Sequence, residues 1–223
     1  YLVAAVTLSG EESMEWISEL AQGIKHEASS CGAVVVGGDL ARGAIKVISM
    51  SALGEVEKAL TRSGAQVGDS IYLSSLPGWS AAGLSCIEKS ELSDLESYAV
   101  EEFCSPTLDY SMAVAFAHKG AHAMCDVSDA LVIQAEQLAQ ASGVQLVFDA
   151  AAFKASEEFA QLSELAEASG VDVWQWIFAG GEDHVFLATG KDLPGLCVGV
   201  VKTGSGVIGL EMKKAPDTWR HFS

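Results

Sequence analysis

Short apolar stretches alternate with longer amphipathic ones along most of this chain, and the alternation limits what the chain can fold into. From Tyr1 to Leu53, a strand pattern, a helical pattern and two further strand patterns follow one another. Beyond this region, helical and strand patterns continue to alternate. Alternating helices and strands are typical of domains in which helices pack against a sheet. The sequence therefore predicts an α/β or α+β fold.

Capping residues predict where several helices begin and end. Ser9 and Glu12 have the spacing of a capping box at the start of the first helix. Further along, Ser156 predicts a helix start, and Gly143 and Gly170 predict helix ends. The buried face of the first helix is predicted from its helical spacing to contain Met14, Ile17, Leu20, Ala21 and Ile24.

Composition and charge exclude several classes of protein. Hydrophobic residues make up 49% of the 223 residues and charged residues 19%, as in folded globular chains. Thirteen basic residues against thirty acidic ones give a net charge of −17, so we expect no nucleic-acid partner. No apolar run approaches the length of a membrane-spanning helix, so we expect no membrane partner either.

The cysteines indicate a reducing compartment. They are odd in number and show no C-x-x-C spacing, which argues against a disulfide framework or a zinc site. We interpret them as reduced packing residues and predict a cytoplasmic protein. The five are Cys31, Cys86, Cys104, Cys125 and Cys197.

The stretch Asp126-Val127-Ser128-Asp129 is the strongest candidate for a binding site. It follows an apolar strand pattern and precedes a long helical pattern, so it is predicted to form a tight turn at a helix start. Two carboxylates held ~4 Å apart repel by ~4 kcal/mol at an effective dielectric of about 20, and a divalent cation between them relieves that repulsion. Ser128 is expected beside free helix N–H groups, which bind phosphate oxygens. In the alternative interpretation, Asp and Ser only cap the helix.

Two glycine pairs, each followed by acidic residues, repeat this theme. Gly37-Gly38-Asp39 follows a strand pattern, and Gly180-Gly181-Glu182-Asp183 precedes another. Paired glycines let a ligand approach the backbone closely, although either segment alone could be an ordinary β-turn. Together with the acidic turn, they place carboxylates at strand ends, where open sheets usually bind ligands.

Two further residues are candidates for ligand contacts. Arg62 lies in a loop next to Gly64 and could grip a phosphate with its forked guanidinium. The alternative for Arg62 is an ion pair on the surface. Trp219 could stack on a flat ring or could simply anchor the C-terminal tail.

Six motifs occur in a fixed order along the chain. They are V-G-G-D-L-A-R-G at 36–43, R-S-G-A-x-x-G-D at 62–69, G-W-S-A-A-G-L at 78–84, A-M-C-D-V-S-D-A-L at 123–131, G-G-E-D-H at 180–184 and W-R-H-F at 219–222. This series resembles the thiamine-monophosphate kinase family, of the superfamily that includes aminoimidazole ribonucleotide synthetase and selenophosphate synthetase. The resemblance covers essentially the whole chain.

The resemblance implies ATP-dependent phosphorylation of thiamine monophosphate to thiamine diphosphate, by direct in-line transfer of a phosphoryl group with Mg²⁺. It assigns three kinds of role to this chain. The implied Mg²⁺ ligands are Asp39, Asp126 and Asp129, the implied ATP contacts are Gly38, Arg62 and Ser128, and the implied contacts to thiamine monophosphate are Glu182 and Trp219. Magnesium held by a few carboxylates and by substrate phosphates would also let a chain of this charge bind two phosphorylated ligands.

The resemblance further implies a two-domain aminoimidazole ribonucleotide synthetase-like fold. Residues 1–57 would be the remainder of an incomplete N-terminal domain that binds ATP and forms a homodimer through its sheet, and residues 58–223 would be a C-terminal α/β domain. The family's N-terminal segment, with its Gly-Asp-Asp motif, is not in this sequence, so we expect little or no kinase activity from a polypeptide that starts at Tyr1.

Two positions depart from the family pattern. The resemblance also leaves two other functions open. Ala130 stands where the family usually has Gly, and His184 stands where it often has Tyr. The chain could be another ATP-dependent enzyme of the same superfamily. It could also be a catalytically inactive, nucleotide-binding homologue.

Overall fold

A computed structural model describes residues 1–210, and in it the chain divides into two compact units. The first unit is Tyr1–Ala59, and the second begins at Leu60. The first contains β1 (Leu2–Leu8), α1 (Met14–Ser30), β2 (Val35–Arg42) and β3 (Val47–Ala52). The second contains β4 (Ser70–Leu73), α2 (Trp79–Cys86), α3 (Asp94–Cys104), α4 (Tyr110–His118), β5 (Ala123–Val127), α5 (Leu131–Ser142), β6 (Gln145–Phe148), α6 (Ala150–Lys154), α7 (Glu157–Ser169), α8 (Val173–Ala179), β7 (Val185–Gly190), β8 (Leu196–Lys202) and β9 (Gly206–Ile208). The predicted mixture of helices and strands is confirmed.

The first unit is a three-stranded sheet with one helix. The strand order is β2-β1-β3, with β2 parallel and β3 antiparallel to β1. The predicted β-α-β-β order is therefore confirmed. An apolar cavity of about 530 Å³ lies between α1 and this sheet, next to residues such as Val6, Ile17 and Ile24.

The first helix begins later than its sequence predicts. Ser13, not Ser9, is the N-cap, because its hydroxyl accepts the N–H of Trp16 at 3.1 Å. The Glu12 carboxylate folds back onto the N–H groups of Ser9 and Gly10 instead. Met14 consequently lies in the first turn and is 78% exposed, so its predicted burial was wrong.

Gly37-Gly38-Asp39 was predicted to follow a strand, with a β-turn as the alternative, but it lies inside β2. The strand continues because β1 pairs with it in parallel, with Ala4 beside Gly38 and Ala5 beside Asp39. A side chain at position 38 would collide with the carbonyl oxygen of Ala4. Close approach of two strands therefore requires Gly38, whatever else it contacts.

Strands β2 and β3 carry large apolar side chains that are exposed in this chain. Val35, Leu40, Val47, Ile48 and Met50 are each at least 40% exposed. Isolated apolar side chains on a surface are ordinary, but several of them on the two strands that flank β1 leave apolar area that a partner can cover.

The second unit is built on a mixed sheet of six strands in the order β5-β7-β4-β8-β6-β9. Side chains alternate between its two faces, as the pleat of a strand requires. Ile71 and Leu73 of β4 face the larger core, whereas Tyr72 between them packs with Phe116 of α4 on the other face. The larger core contains residues from α2, α5, α7 and α8.

The predicted helix start and helix ends of this unit agree with the structure. Ser156 caps α7, and Gly143 and Gly170 end α5 and α7 in left-handed conformations, as predicted. The small-residue helix α2 packs closely against α3. The short helices α6 and α8 had no counterpart in the sequence-based assignment.

The cysteines are all free, but only Cys86 and Cys125 are buried. The prediction that they are mainly packing residues was therefore wrong for Cys31, Cys104 and Cys197, which are exposed. Across residues 1–210, none of the helices has both the length and the apolar character needed to cross a bilayer.

A buried carboxylate fixes α2 relative to the loop before β7. Asp183 is 8% exposed, and its two oxygens accept the N–H groups of Gly78 at 2.8 Å and Ser80 at 3.0 Å. In return, the Ser80 hydroxyl donates to the carbonyl oxygen of Glu182 at 3.0 Å. The N-terminus of a helix has N–H groups without partners inside the helix, and a carboxylate satisfies them well. Burial nonetheless raises the pKa of Asp183 to about 7.

Asp183→Asn is expected to destabilise the protein, and the loss should depend on pH. Asparagine has one acceptor oxygen, so one of the two N–H groups loses its partner, which costs about 1–3 kcal/mol. Since the folded pKa is raised, the wild-type free energy of unfolding falls as pH rises from about 4 to about 7, whereas the variant has no such titration. Urea unfolding of both proteins between pH 5 and pH 8 should show the gap narrowing. A gap that is constant or widens would contradict the raised pKa.

Candidate functional site

The acidic turn lies between β5 and α5. Asp126 is in β5, and Ser128 and Asp129 follow it before Ala130, the N-cap residue of α5. Ala130 is extended, so the helix begins at Leu131, three residues beyond Ser128 and later than predicted. No side chain caps α5 at Ala130. The acidic turn therefore precedes the first residue of α5, and the N-cap position of that helix carries no capping side chain.

The loop Gly180-Gly181-Glu182-Asp183 runs alongside this turn. The N–H of Glu182 donates to the carbonyl oxygen of Ser128 at 2.7 Å, and the N–H of His184 donates to that of Val127 at 3.0 Å. A side chain on Gly181 would collide with the carbonyl oxygen of Asp129. Gly181 thus lets the backbone of the glycine loop approach the backbone of the acidic turn closely. This contact brings two of the predicted motifs together.

Glu182 and His184 both adopt left-handed backbone conformations, with φ of 68° and 54°. Such conformations cost of order 1–3 kcal/mol in residues other than glycine, so the surrounding contacts must impose them. Here the two hydrogen bonds to the turn and the burial of Asp183 impose them. The result is a Glu182 side chain that remains 71% exposed while its backbone is fixed.

A cavity of about 470 Å³ opens between these two loops and α2, and we call it the loop pocket. Its walls combine apolar side chains with the polar groups of the turn and the glycine loop. Its lining consists of Ser80, Ala81, Leu84, Phe103, Ser128, Asp129, Ala179, Gly180, Gly181 and Glu182. Apolar walls with a few convergent polar groups are typical of small-molecule sites. The structure therefore brings Ser128, Asp129 and Glu182 to one cavity.

Arg62 lies beside the acidic turn. One of its terminal nitrogens, Nη2, is 3.8 Å from Oδ1 of Asp126, and both side chains are about half exposed, at 40% and 47%. Such an ion pair contributes little by itself. The same nitrogen donates to Oε1 of Gln134 at 2.8 Å, while Nε is buried without a partner among residues 1–210. Arg62 thus lies next to the predicted carboxylate Asp126 and has a donor without a partner among residues 1–210.

The loop that carries Arg62 is held by the side chain of Ser142. Its hydroxyl donates to the carbonyl oxygen of Arg62 at 2.8 Å and accepts the N–H groups of Gly64 and Ala65, each at 3.1 Å. The N–H of Met124 also donates to the carbonyl oxygen of Thr61. These bonds tie the loop to α5 and β5, the elements on either side of the acidic turn.

Gln134 is a member of the site that the sequence analysis did not identify. It is 2% exposed, and its Nε2 donates to Oδ2 of Asp129 at 3.4 Å while its Oε1 accepts from Arg62. A signal was present in the sequence, because Gln134 lies on the apolar face of α5 between Leu131 and Leu138. A polar residue on such a face needs a partner inside the fold.

The remaining predicted residues are not part of the second unit as the structure describes it. Gly38 and Asp39 belong to the first unit, where Asp39 is exposed on β2. Trp219 is outside the described residues. Within residues 1–210, no three His, Cys, Asp or Glu side chains are grouped closely enough to hold a metal ion by themselves.

Comparison with known families identifies the second unit. Residues 66–181 match the family model of the AIR synthase related protein, C-terminal domain. Over 98% of its length, the chain is 32% identical to thiamine-monophosphate kinases of Corynebacterium glutamicum and Aquifex aeolicus. It is 37% identical to that of Mycobacterium tuberculosis over 77% of its length.

Solved structures agree with this assignment. AaThiL complexed with AMPPCP and TMP superimposes with a TM-score of 0.86, at 28% identity over 99% of this chain and 73% of that one. The hydrogenase maturation protein HypE shares the fold, with a TM-score of 0.61 at 15% identity. The chain spans 69% of the Corynebacterium relative, 74% of the Aquifex relative and 51% of the Mycobacterium relative. By sequence and by structure, this chain belongs to the thiamine-monophosphate kinase family.

Proposed function

We propose that the protein carrying this chain transfers a phosphoryl group from ATP to thiamine monophosphate, and so forms thiamine diphosphate. The observation that carries this proposal is the loop pocket, where Ser128, Asp129 and Glu182 converge beside Arg62. The relatives named thiamine-monophosphate kinase, and the structural neighbour complexed with AMPPCP and TMP, support it.

The residues present fit a nucleotide bound together with magnesium. The buried Nε of Arg62 has no partner among the described residues, and an oxygen of a phosphate would satisfy it. Asp126 and Asp129 supply carboxylate oxygens, and we propose Asp39 of the first unit as a third ligand, with Gly38 near the nucleotide. Magnesium usually binds through one or two carboxylates and substrate phosphates, and when bound it neutralises charge on the phosphate oxygens. A site of this kind needs no preformed three-ligand cluster.

The acceptor is proposed to bind on the side of the pocket formed by Glu182. Its exposed carboxylate can attract the positively charged thiazolium ring of thiamine monophosphate. Ala81, Leu84 and Phe103 provide apolar surface beside it. Trp219 is proposed as a further contact that stacks on the acceptor.

Phosphoryl transfer is proposed to be direct and in line. An oxygen of the acceptor phosphate forms a bond to the γ-phosphorus as the bond to the β,γ-bridging oxygen breaks, and ADP leaves. The chain's residues contribute position and charge: Arg62 holds phosphate oxygens, and the fixed backbone of the acidic turn holds the carboxylates.

The proposed reaction is tested by the choice of acceptor. With ATP and Mg²⁺, the protein carrying this chain should release ADP when thiamine monophosphate is added, and not when thiamine is added, since the acceptor oxygen belongs to the phosphate. A coupled ADP-release assay measures both. Equal rates with the two acceptors would exclude the proposal and favour another enzyme of the superfamily. Binding of AMPPCP without any turnover would favour an inactive homologue.

Asp129→Asn is expected to abolish Mg²⁺-dependent turnover while the fold remains intact. Asparagine keeps the size of the side chain but loses the negative charge that attracts the cation. Initial rates across a range of Mg²⁺ concentrations, together with a circular dichroism spectrum, measure the two effects. Glu136→Gln is the matched control, since it removes one charge from the exposed face of the adjoining helix α5. Unchanged rates in the Asp129 variant would remove this residue from the site.

A homodimer formed through the first unit is also proposed. The exposed apolar side chains of β2 and β3 support it, because burying them against a second copy is favourable. Light scattering should give twice the monomer mass, and Ile48→Lys should shift the protein towards the monomer. Val114→Lys, at an apolar side chain of α4 that is 54% exposed, should not. A monomeric wild-type protein at micromolar concentration would contradict the proposal.

A further inference from the structure

Gln134 is a buried polar side chain that contacts two charged residues of the site. It is 2% exposed in the first half of α5, where its neighbours Leu131, Ala135 and Leu138 are fully buried and apolar. A buried amide without hydrogen bonds is costly. Its two partners, Arg62 and Asp129, are both residues proposed to contact the nucleotide or the metal.

The two partners determine how the amide is oriented. A guanidinium can only donate hydrogen bonds and an ionised carboxylate can only accept them, so Oε1 must face Arg62 and Nε2 must face Asp129. The distances agree, at 2.8 Å and 3.4 Å. With Asp126 lying 3.8 Å from the same Arg62 nitrogen, a continuous series of polar contacts connects Asp126, Arg62, Gln134 and Asp129.

Because the amide of Gln134 is neutral, it does not change the net charge of the site. Arg62, Asp126 and Asp129 together carry a formal charge of about −1 at neutral pH. A carboxylate at position 134 would attract Arg62 but repel Asp129, and an apolar side chain would remove one hydrogen bond from each of them. Of the three, only the amide bridges the cation and the anion without adding charge.

We propose that Gln134 is a positioning residue that holds the guanidinium of Arg62 and the carboxylate of Asp129 in the arrangement that receives the nucleotide and its metal. The inference rests on the proposed function. Gln134 acts through its partners and touches neither substrate. Ser142 holds the backbone of the Arg62 loop, whereas Gln134 holds its side chain.

A double-mutant cycle tests whether Gln134 acts through Arg62. Calorimetric titration with AMPPCP and MgCl₂ is made for wild type, Gln134→Met, Arg62→Ala and the double variant. Methionine keeps the volume but removes both hydrogen bonds, so affinity should fall roughly tenfold, as expected when a hydrogen bond to a charged group is lost. In the Arg62→Ala background, the same change should weaken binding by less than about twofold, because interacting residues are not additive. Additive effects would refute positioning through Arg62.

Two controls separate the possible failures. Gln137→Met, an exposed change on the same helix, should bind AMPPCP as wild type does. If wild type fails to bind AMPPCP, the proposed function is wrong, and with it the inference. If wild type and Gln134→Met bind equally, the inference alone is wrong.

Gln134→Glu provides a second measurement in case the methionine variant does not fold. Glutamate should retain the contact with Arg62 and draw it away from the phosphates, while its charge adds to that of Asp129. Binding of AMPPCP should weaken, and binding of Mg²⁺ measured without nucleotide should strengthen. A purely structural role would change neither, so wild-type values for both would overturn the proposal.

Discussion

The buried carboxylate of Asp183 is the interaction on which the candidate site depends. It joins the N-terminus of α2 to the loop before β7, and that loop in turn pairs with the acidic turn through the N–H groups of Glu182 and His184. Neither left-handed residue would hold its conformation alone, because each is strained by of order 1–3 kcal/mol. The geometry of the loop pocket is thus determined by one carboxylate that does not line it.

In the proposed function, the site needs few basic residues to bind an anionic nucleotide, because its carboxylates can recruit a cation. The chain carries a net charge of −17, so an anionic ligand approaches against its overall field. The described site meets this with Arg62, two nearby carboxylates and an uncharged amide, an arrangement that gains from a bound cation. A second arginine in place of Gln134 would neutralise the carboxylates internally and reduce their attraction for a metal. The neutral bridge leaves the carboxylates available.

Local signals allowed much of the fold to be predicted, and non-local contacts account for most of what was missed. Gly143, Gly170 and Ser156 act within one turn of their own helix, so their spacing in the sequence was sufficient. By contrast, β2 extends through Gly38 because of its pairing with β1, which no local pattern shows. In the candidate site, too, local signals were predicted and non-local contacts were missed. Its motifs were visible in the sequence, but the bond between Arg62 and Gln134 spans 72 residues and that between Gly78 and Asp183 spans 105.

The fold alone does not determine the acceptor, since proteins with different functions share it. The discriminating features are those of the loop pocket. Glu182 places an exposed carboxylate beside the apolar side chains of Leu84 and Phe103, which favours a cationic acceptor over an anionic one. The proposed acceptor is cationic and aromatic at one end and phosphorylated at the other, so it can use both Glu182 and the groups around the acidic turn. Glu182 can attract its cationic end while Arg62 and the acidic turn, with magnesium, receive the phosphates. This separation of opposite charges between Glu182 and Arg62 is the physical argument for the proposed thiamine phosphate acceptor.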